Sequence, residues 1–159
     1  MKRTTLGIIL LATILCAGVL AGCGGGAPKV DWQLQVTGAV SKPLSISYGE
    51  LAKMQQADLK DVLMEKSRGE DEVHSFSGVP LAGLLEQAGA GNVNTVTAVA
   101  GDGYAVEISK DELRDAIIAL KQDGKWIANA DKDHGPIRLV CPHTPANRWV
   151  FQLQEIQVQ

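Results

Sequence analysis

The chain has 159 residues and a formal charge of −3, with 45% hydrophobic, 21% charged and 4% aromatic residues. That length suits one ordinary domain with a real core. The acidic balance gives no electrostatic support for nucleic-acid binding or for a basic membrane-binding face.

Residues 1–22 read as a targeting segment. Lys2 and Arg3 form a basic start, Leu6 to Leu20 is an uncharged apolar run, and Leu20-Ala21-Gly22-Cys23 places small residues ahead of a cysteine. This is the pattern of a secretory signal ending in a bacterial lipobox, with Cys23 as the lipidated first residue of the mature chain. Several acyl chains on one cysteine make a durable attachment, so the expectation is a domain held on the extracytoplasmic face of the cell membrane. Loss of Lys2 and Arg3 with the signal would take the formal charge from −3 to −5. Cys16 would leave with the signal and Cys23 would take lipid, so Cys141 stands alone and no intrachain disulfide forms.

Residues 23–31 carry the lipid site and a Gly-rich tether, and the domain is expected over 32–159. Trp32, Leu34 and Val36 alternate with Gln33, Gln35 and Thr37, which predicts a half-buried strand. A turn at Gly38 and Lys42-Pro43 leads to a short strand at Leu44-Ser45-Ile46. Ser47 with Glu50 has capping-box spacing and opens a helix through about Gln55. Residues 58–64 are a weaker strand, and the charged run 65–72 is a solvated loop or hairpin tip. Val73 to Phe76 alternates again. Pro80 then suits a first helical turn, Leu81, Leu84, Leu85 and Ala88 follow at helical spacing, and Gly89 closes the helix.

Residues 93–100 and 104–108 predict a hairpin about Gly101-Asp102-Gly103. Ser109 with Glu112 repeats the capping-box spacing and predicts another short helix. Residues 116–120 read as a buried strand, 129–134 as a loop holding Asp131, Asp133 and His134, and 149–158 as one final strand. Between them, Gly135 to Phe151 concentrates reactive side chains: Cys141, His143, Arg138 and Arg148, broken by Pro142 and Pro145. Cys141 between Val140 and Pro142 reads as a small core residue. The alternatives are a reactive thiol, or a metal site with His143 and His134, although zinc sites normally pair close-spaced ligands. His74 reads as a partly buried, hydrogen-bonded residue. No nucleophile context and no phosphate-cradling glycine loop is present. The fold class is α+β, strand-rich, with two or three short helices.

Several segments resemble a known family in their order: Leu34-Gln35-Val36-Thr37-Gly38, Pro43-Leu44, the Gly78-Val79-Pro80-Leu81 helix start through Gly89, Ala100-Gly101-Asp102-Gly103-Tyr104, Gly135 to Pro142, and Trp149-Val150. Together they resemble the oxidoreductase molybdopterin-binding domain of the sulfite oxidase type, over nearly all of 32–158. The resemblance implies a molybdopterin cofactor whose molybdenum takes one protein cysteine thiolate, a soft donor suited to that metal. It places that cysteine after the strand preceding the Gly-Val-Pro-Leu helix, where this chain reads Asp61-Val62-Leu63-Met64-Glu65-Lys66-Ser67-Arg68-Gly69 and has no cysteine. Arg68, Tyr104, Arg138 and Arg148 are the candidates to face a pterin pocket. The preferred reading is a binding or accessory domain with a small-molecule ligand or envelope protein as partner. The alternatives are a molybdopterin-dependent oxidoreductase in envelope redox chemistry, and thiol or metal chemistry at Cys141.

Overall fold

The computed structural model describes residues 26–159; the signal segment and Cys23 lie outside the described residues. Eleven strands and three short helices follow in the order β1 (Gln33–Gly38), β2 (Leu44–Ser47), α1 (Tyr48–Leu51), β3 (Ala57–Met64), β4 (Glu72–Pro80), α2 (Leu81–Gln87), β5 (Thr95–Ala100) and β6 (Ala105–Ser109), then β7 (Ile117–Gln122), β8 (Lys125–Trp126), α3 (Ile127–Ala130), β9 (Arg138–Val140), β10 (Val150–Phe151) and β11 (Leu153–Val158). One sheet runs β2-β1-β11-β5-β6. The other runs β10-β9-β7-β4-β3, with β8 hanging on β7. Only the β1–β11 pairing is parallel.

Side chains from both sheets share one core; β1 and β5 alternate, with one face turned to it, while β7 at the centre of its sheet is apolar on both faces. Leu34 and Val36 point inward from β1, and Val96 and Ala98 from β5. On β7, flanked by β4 and β9, all of Ile117-Ile118-Ala119-Leu120 is buried. Gly78 is required where β4 crosses β7 at a bulge, because a Cβ there would run into the Ile118 carbonyl. Gly38 ends β1 at φ +86 with its α-carbon against the Val158 backbone, a place only glycine fits without strain.

The Ser47 capping box forms as expected: Ser47 N donates to Glu50 Oε2 at 2.8 Å, and Glu50 N donates back to Ser47 Oγ at 3.3 Å. The helix is shorter than expected, ending at Leu51. Helix α2 buries Leu81, Leu84 and Leu85, and Gly89 follows at φ +66. Pro80 caps that helix from outside, as the last residue of β4.

Three expectations are corrected. Ser109 and Glu112 do form capping bonds, Ser109 N and Oγ donating to Glu112 Oε2 at 2.9 and 2.8 Å. They open turns and no helix, because Asp115 at φ +58 swings the chain straight into β7. The loop expected at 129–134 begins inside α3, a single uncapped turn too short to show periodicity. The final strand is two: Gln152 at φ +48 breaks it, so that β10 joins one sheet and β11 the other. Gln152 holds that corner by donating Nε2 to the Asp133 carbonyl at 2.6 Å and accepting from Gly101 N at 2.9 Å.

Candidate functional site

The reactive residues of 135–151 are placed by the loop between β9 and β10. Its centre is the Cys141 carbonyl, which accepts from Thr144 N at 3.1 Å, Thr144 Oγ1 at 2.9 Å and Trp149 Nε1 at 2.9 Å. Pro142 and Pro145 cannot donate, so these three bonds define the loop's shape. Trp149 is buried and meets Phe76 of β4 edge-on, ring centroids 5.6 Å apart. From this base the loop is tied outward by three of its residues, Ala146, Arg148 and His143. Ala146 N donates to the Glu65 carbonyl at 2.9 Å, at the end of β3. Arg148 reaches the turns after β6, and His143 Nε2 lies 2.9 Å from Asp115 Oδ2.

The Arg148 guanidinium is engaged through Nε and Nη2. Nε donates to Glu112 Oε1 at 2.7 Å, and Nη2 to Glu112 Oε2 at 3.0 Å and to the Glu107 carbonyl at 2.6 Å. This fork, with Ser109 behind it, holds the Glu112 carboxyl down to about 2. Tyr104 lies within electrostatic reach of the same guanidinium and is itself 53% exposed. Arg138 is elsewhere: its guanidinium is buried under the Phe151 ring, 4.6 Å from the centroid, and donates to Asp131 Oδ2 and Gln122 Oε1, each at 2.9 Å. Burial pushes its pKa down while Asp131 pulls it up. Arg68 is exposed at the tip of the β3–β4 hairpin. The structure therefore places Tyr104 in the electrostatic surroundings of Arg148, without a hydrogen bond between them, and leaves Arg138 and Arg68 elsewhere.

Cys141 is fully buried, and that burial, aided by the nearby Glu112 carboxylate, pushes its thiol up to about 12. His134 sits on Asp131, Nδ1 to Oδ1 at 3.0 Å, and Asp131 in turn pairs with Arg138 Nη2 at 2.9 Å, while Asp133 and His134 stay exposed. His74 is half-buried between Asp123 (2.7 Å) and Glu72 (3.0 Å), as its alternating strand suggested. No group of three or more His, Cys, Asp or Glu placed to share a metal occurs among the described residues. Sequence reasoning missed Glu112 as the partner of Arg148, because its capping-box spacing with Ser109 already accounted for it.

This architecture is a known one: residues 25–159 match the family described as the oxidoreductase molybdopterin binding domain. The chain belongs to that family. The crystal structure of the sulfane dehydrogenase SoxCD from Paracoccus pantotrophus shares the fold, with a TM-score of 0.68 at 21% identity, over 84% of this chain. This chain spans only 40% of that one. No curated protein matches it.

Tested on the donors present, a molybdenum held through one protein thiolate does not fit the residues where the family resemblance places that ligand. Met64 offers a thioether and Glu65 a hard carboxylate, neither a substitute for a soft anionic sulfur. Cys141 is sealed in the core, just after β9 and outside that segment. The guanidinium groups of Arg148 and Arg138 are already committed to carboxylates.

Proposed function

We propose that this chain is a lipid-anchored, extracytoplasmic member of the molybdopterin-binding domain family that serves a binding or accessory role in place of the family's redox chemistry. The observation that carries the reading is the state of the thiols. Residues 61–69 contain none, and Cys141, the free cysteine of the described chain, is buried with its thiol pushed up to about 12. A thiolate ligand needs a cysteine the metal can reach, and the one free cysteine among the described residues is fully buried. The ion-paired arginines support the same reading, because a cofactor phosphate would have to compete with Glu112 at Arg148 and with Asp131 at Arg138, although the buried Arg138 Nε is left without a partner. The partner is then a small molecule or an envelope protein at the membrane surface.

The test is purification of the full chain from its native host, with molybdenum analysis and pterin fluorescence on the same sample. Both are expected well below one per chain. Stoichiometric molybdenum with pterin would overturn the reading and establish the alternative that family membership favours, a molybdopterin-dependent oxidoreductase. The anchoring has its own test. Cys23→Ser should abolish acyl labelling and release the chain from the membrane fraction. A wild-type chain that carries no acyl label would refute it.

A further inference from the structure

Net charge conceals a local basic cluster. Residues 26–31 run past α1 and β8, and together they wall an open groove of about 1110 Å³. Lys29, Lys53 and Lys121 line it, against one carboxylate, Asp31. Glu50, one turn from Lys53, is held at the helix start by Ser47 N and Oγ, at 2.8 and 2.6 Å. Trp126 closes the groove with Lys121 Nζ 4.3 Å above its ring centroid and Tyr48 tilted behind it at 6.4 Å. An indole backed by a buried aromatic and ringed by lysines combines the two side-chain types that favour a membrane interface.

The position of the groove on the chain says what it meets. Gly26 is part of its wall and lies three residues after Cys23. Three extended residues span at most about 11 Å. An acylated Cys23 therefore keeps this wall within about 11 Å of the lipid attachment, close to a headgroup layer roughly 5–8 Å deep per leaflet.

We propose that this groove is a membrane-docking face, on which Lys29, Lys53 and Lys121, with Trp126 between them, seat against anionic phospholipid headgroups. The proposal rests on the lipoprotein reading for its geometry. It gives the anchored domain a fixed orientation on the bilayer, which attachment at a single residue would not by itself impose. Attraction of juxtamembrane lysines to an anionic surface decays within a Debye length, so docking weakens with salt.

The experiment is lysine footprinting on the full chain reconstituted into vesicles, either phosphatidylcholine alone or phosphatidylcholine with phosphatidylglycerol. An amine-reactive acetylating reagent labels exposed lysines, and mass spectrometry reads each site. Lys29, Lys53 and Lys121 should be protected at least about fivefold on the anionic vesicles relative to the zwitterionic ones. Lys60 and Lys110, exposed on β3 and after β6, should label equally on both. Lys53→Glu with Lys121→Glu should abolish the protection of Lys29 while circular dichroism stays unchanged. Equal labelling of the three lysines on both vesicles, or protection of Lys29 that survives the charge reversals, overturns the proposal. Acyl labelling is scored on the same protein. A chain without lipid refutes the anchoring, and the anionic-against-zwitterionic difference still decides whether the groove docks.

Discussion

Cys141 offers the sharpest check on the site, because the thiol's environment separates a core residue from a ligand. Its side chain is fully buried on the segment between β9 and the Pro142 loop, with its own carbonyl tied by Thr144 and Trp149. Desolvation, and then the Glu112 carboxylate, raise the thiol from 9.0 to about 12, against a smaller opposing pull from Arg148. Below pH 9 that shift alone lowers the thiolate fraction about a thousandfold. Access is limited as well, since a reagent reaches the sulfur only when the loop opens. With a chromogenic disulfide reagent near pH 8, native protein should react at least about a thousandfold more slowly than protein in denaturant. Cys141→Ala should then leave any bound ligand in place and cost a modest amount of stability. Native and denatured rates within about tenfold would refute the burial argument. Native modification blocked by added molybdate or pterin would go further and make Cys141 a ligand after all.

The other predictions concern the scaffold around that loop. Leu84→Ala, at a fully buried position on α2, should cost about 2–5 kcal/mol by urea unfolding, and a loss under about 0.5 kcal/mol would place that helix face in solvent. Glu112 is held at about 2 against an ordinary 4.5, mainly by Arg148, so its contribution is fully present above pH 4.5 and is lost as pH falls through about 2. Both partners are about a third exposed, which keeps that contribution small, and Arg148→Met should flatten the urea midpoint between those pH values; an unchanged acid slope would refute the pairing. At His74, burial pulls the pKa down, but hydrogen bonds to Glu72 and Asp123 outweigh it and leave the pKa raised. Its stabilisation should be present below the ordinary 6.5 and fade as pH rises through the raised value, while the depressed Glu72 and Asp123 lose theirs as pH falls. A histidine titration followed by NMR that gives His74 a pKa below 6.5 would overturn the arrangement.

Much of the fold was legible in the chain, for local reasons. Period-two alternation at 32–37, the capping box at Ser47 and Glu50, the leucine stripe closed by Gly89, and the Gly101-Asp102-Gly103 hairpin each depend on neighbours a few residues apart. The order of those segments carried the family, and the absence of cysteine from 61–69 raised the question of its chemistry.

Three things required the tertiary structure. Gln152 divides the last apolar run between two sheets, a choice made by the partners on either side and invisible to periodicity, since both pieces alternate alike. Arg138 and Arg148 look equivalent in the chain, yet one is buried with Asp131 and the other half-buried with Glu112, because ion pairs between residues 7 and 36 apart form only after the strands pack. The lysines at 29, 53 and 121 are scattered through an acidic chain whose net charge argues against any basic face. Local composition determines which side chains are available; only the folding of distant segments onto one another decides which charges meet.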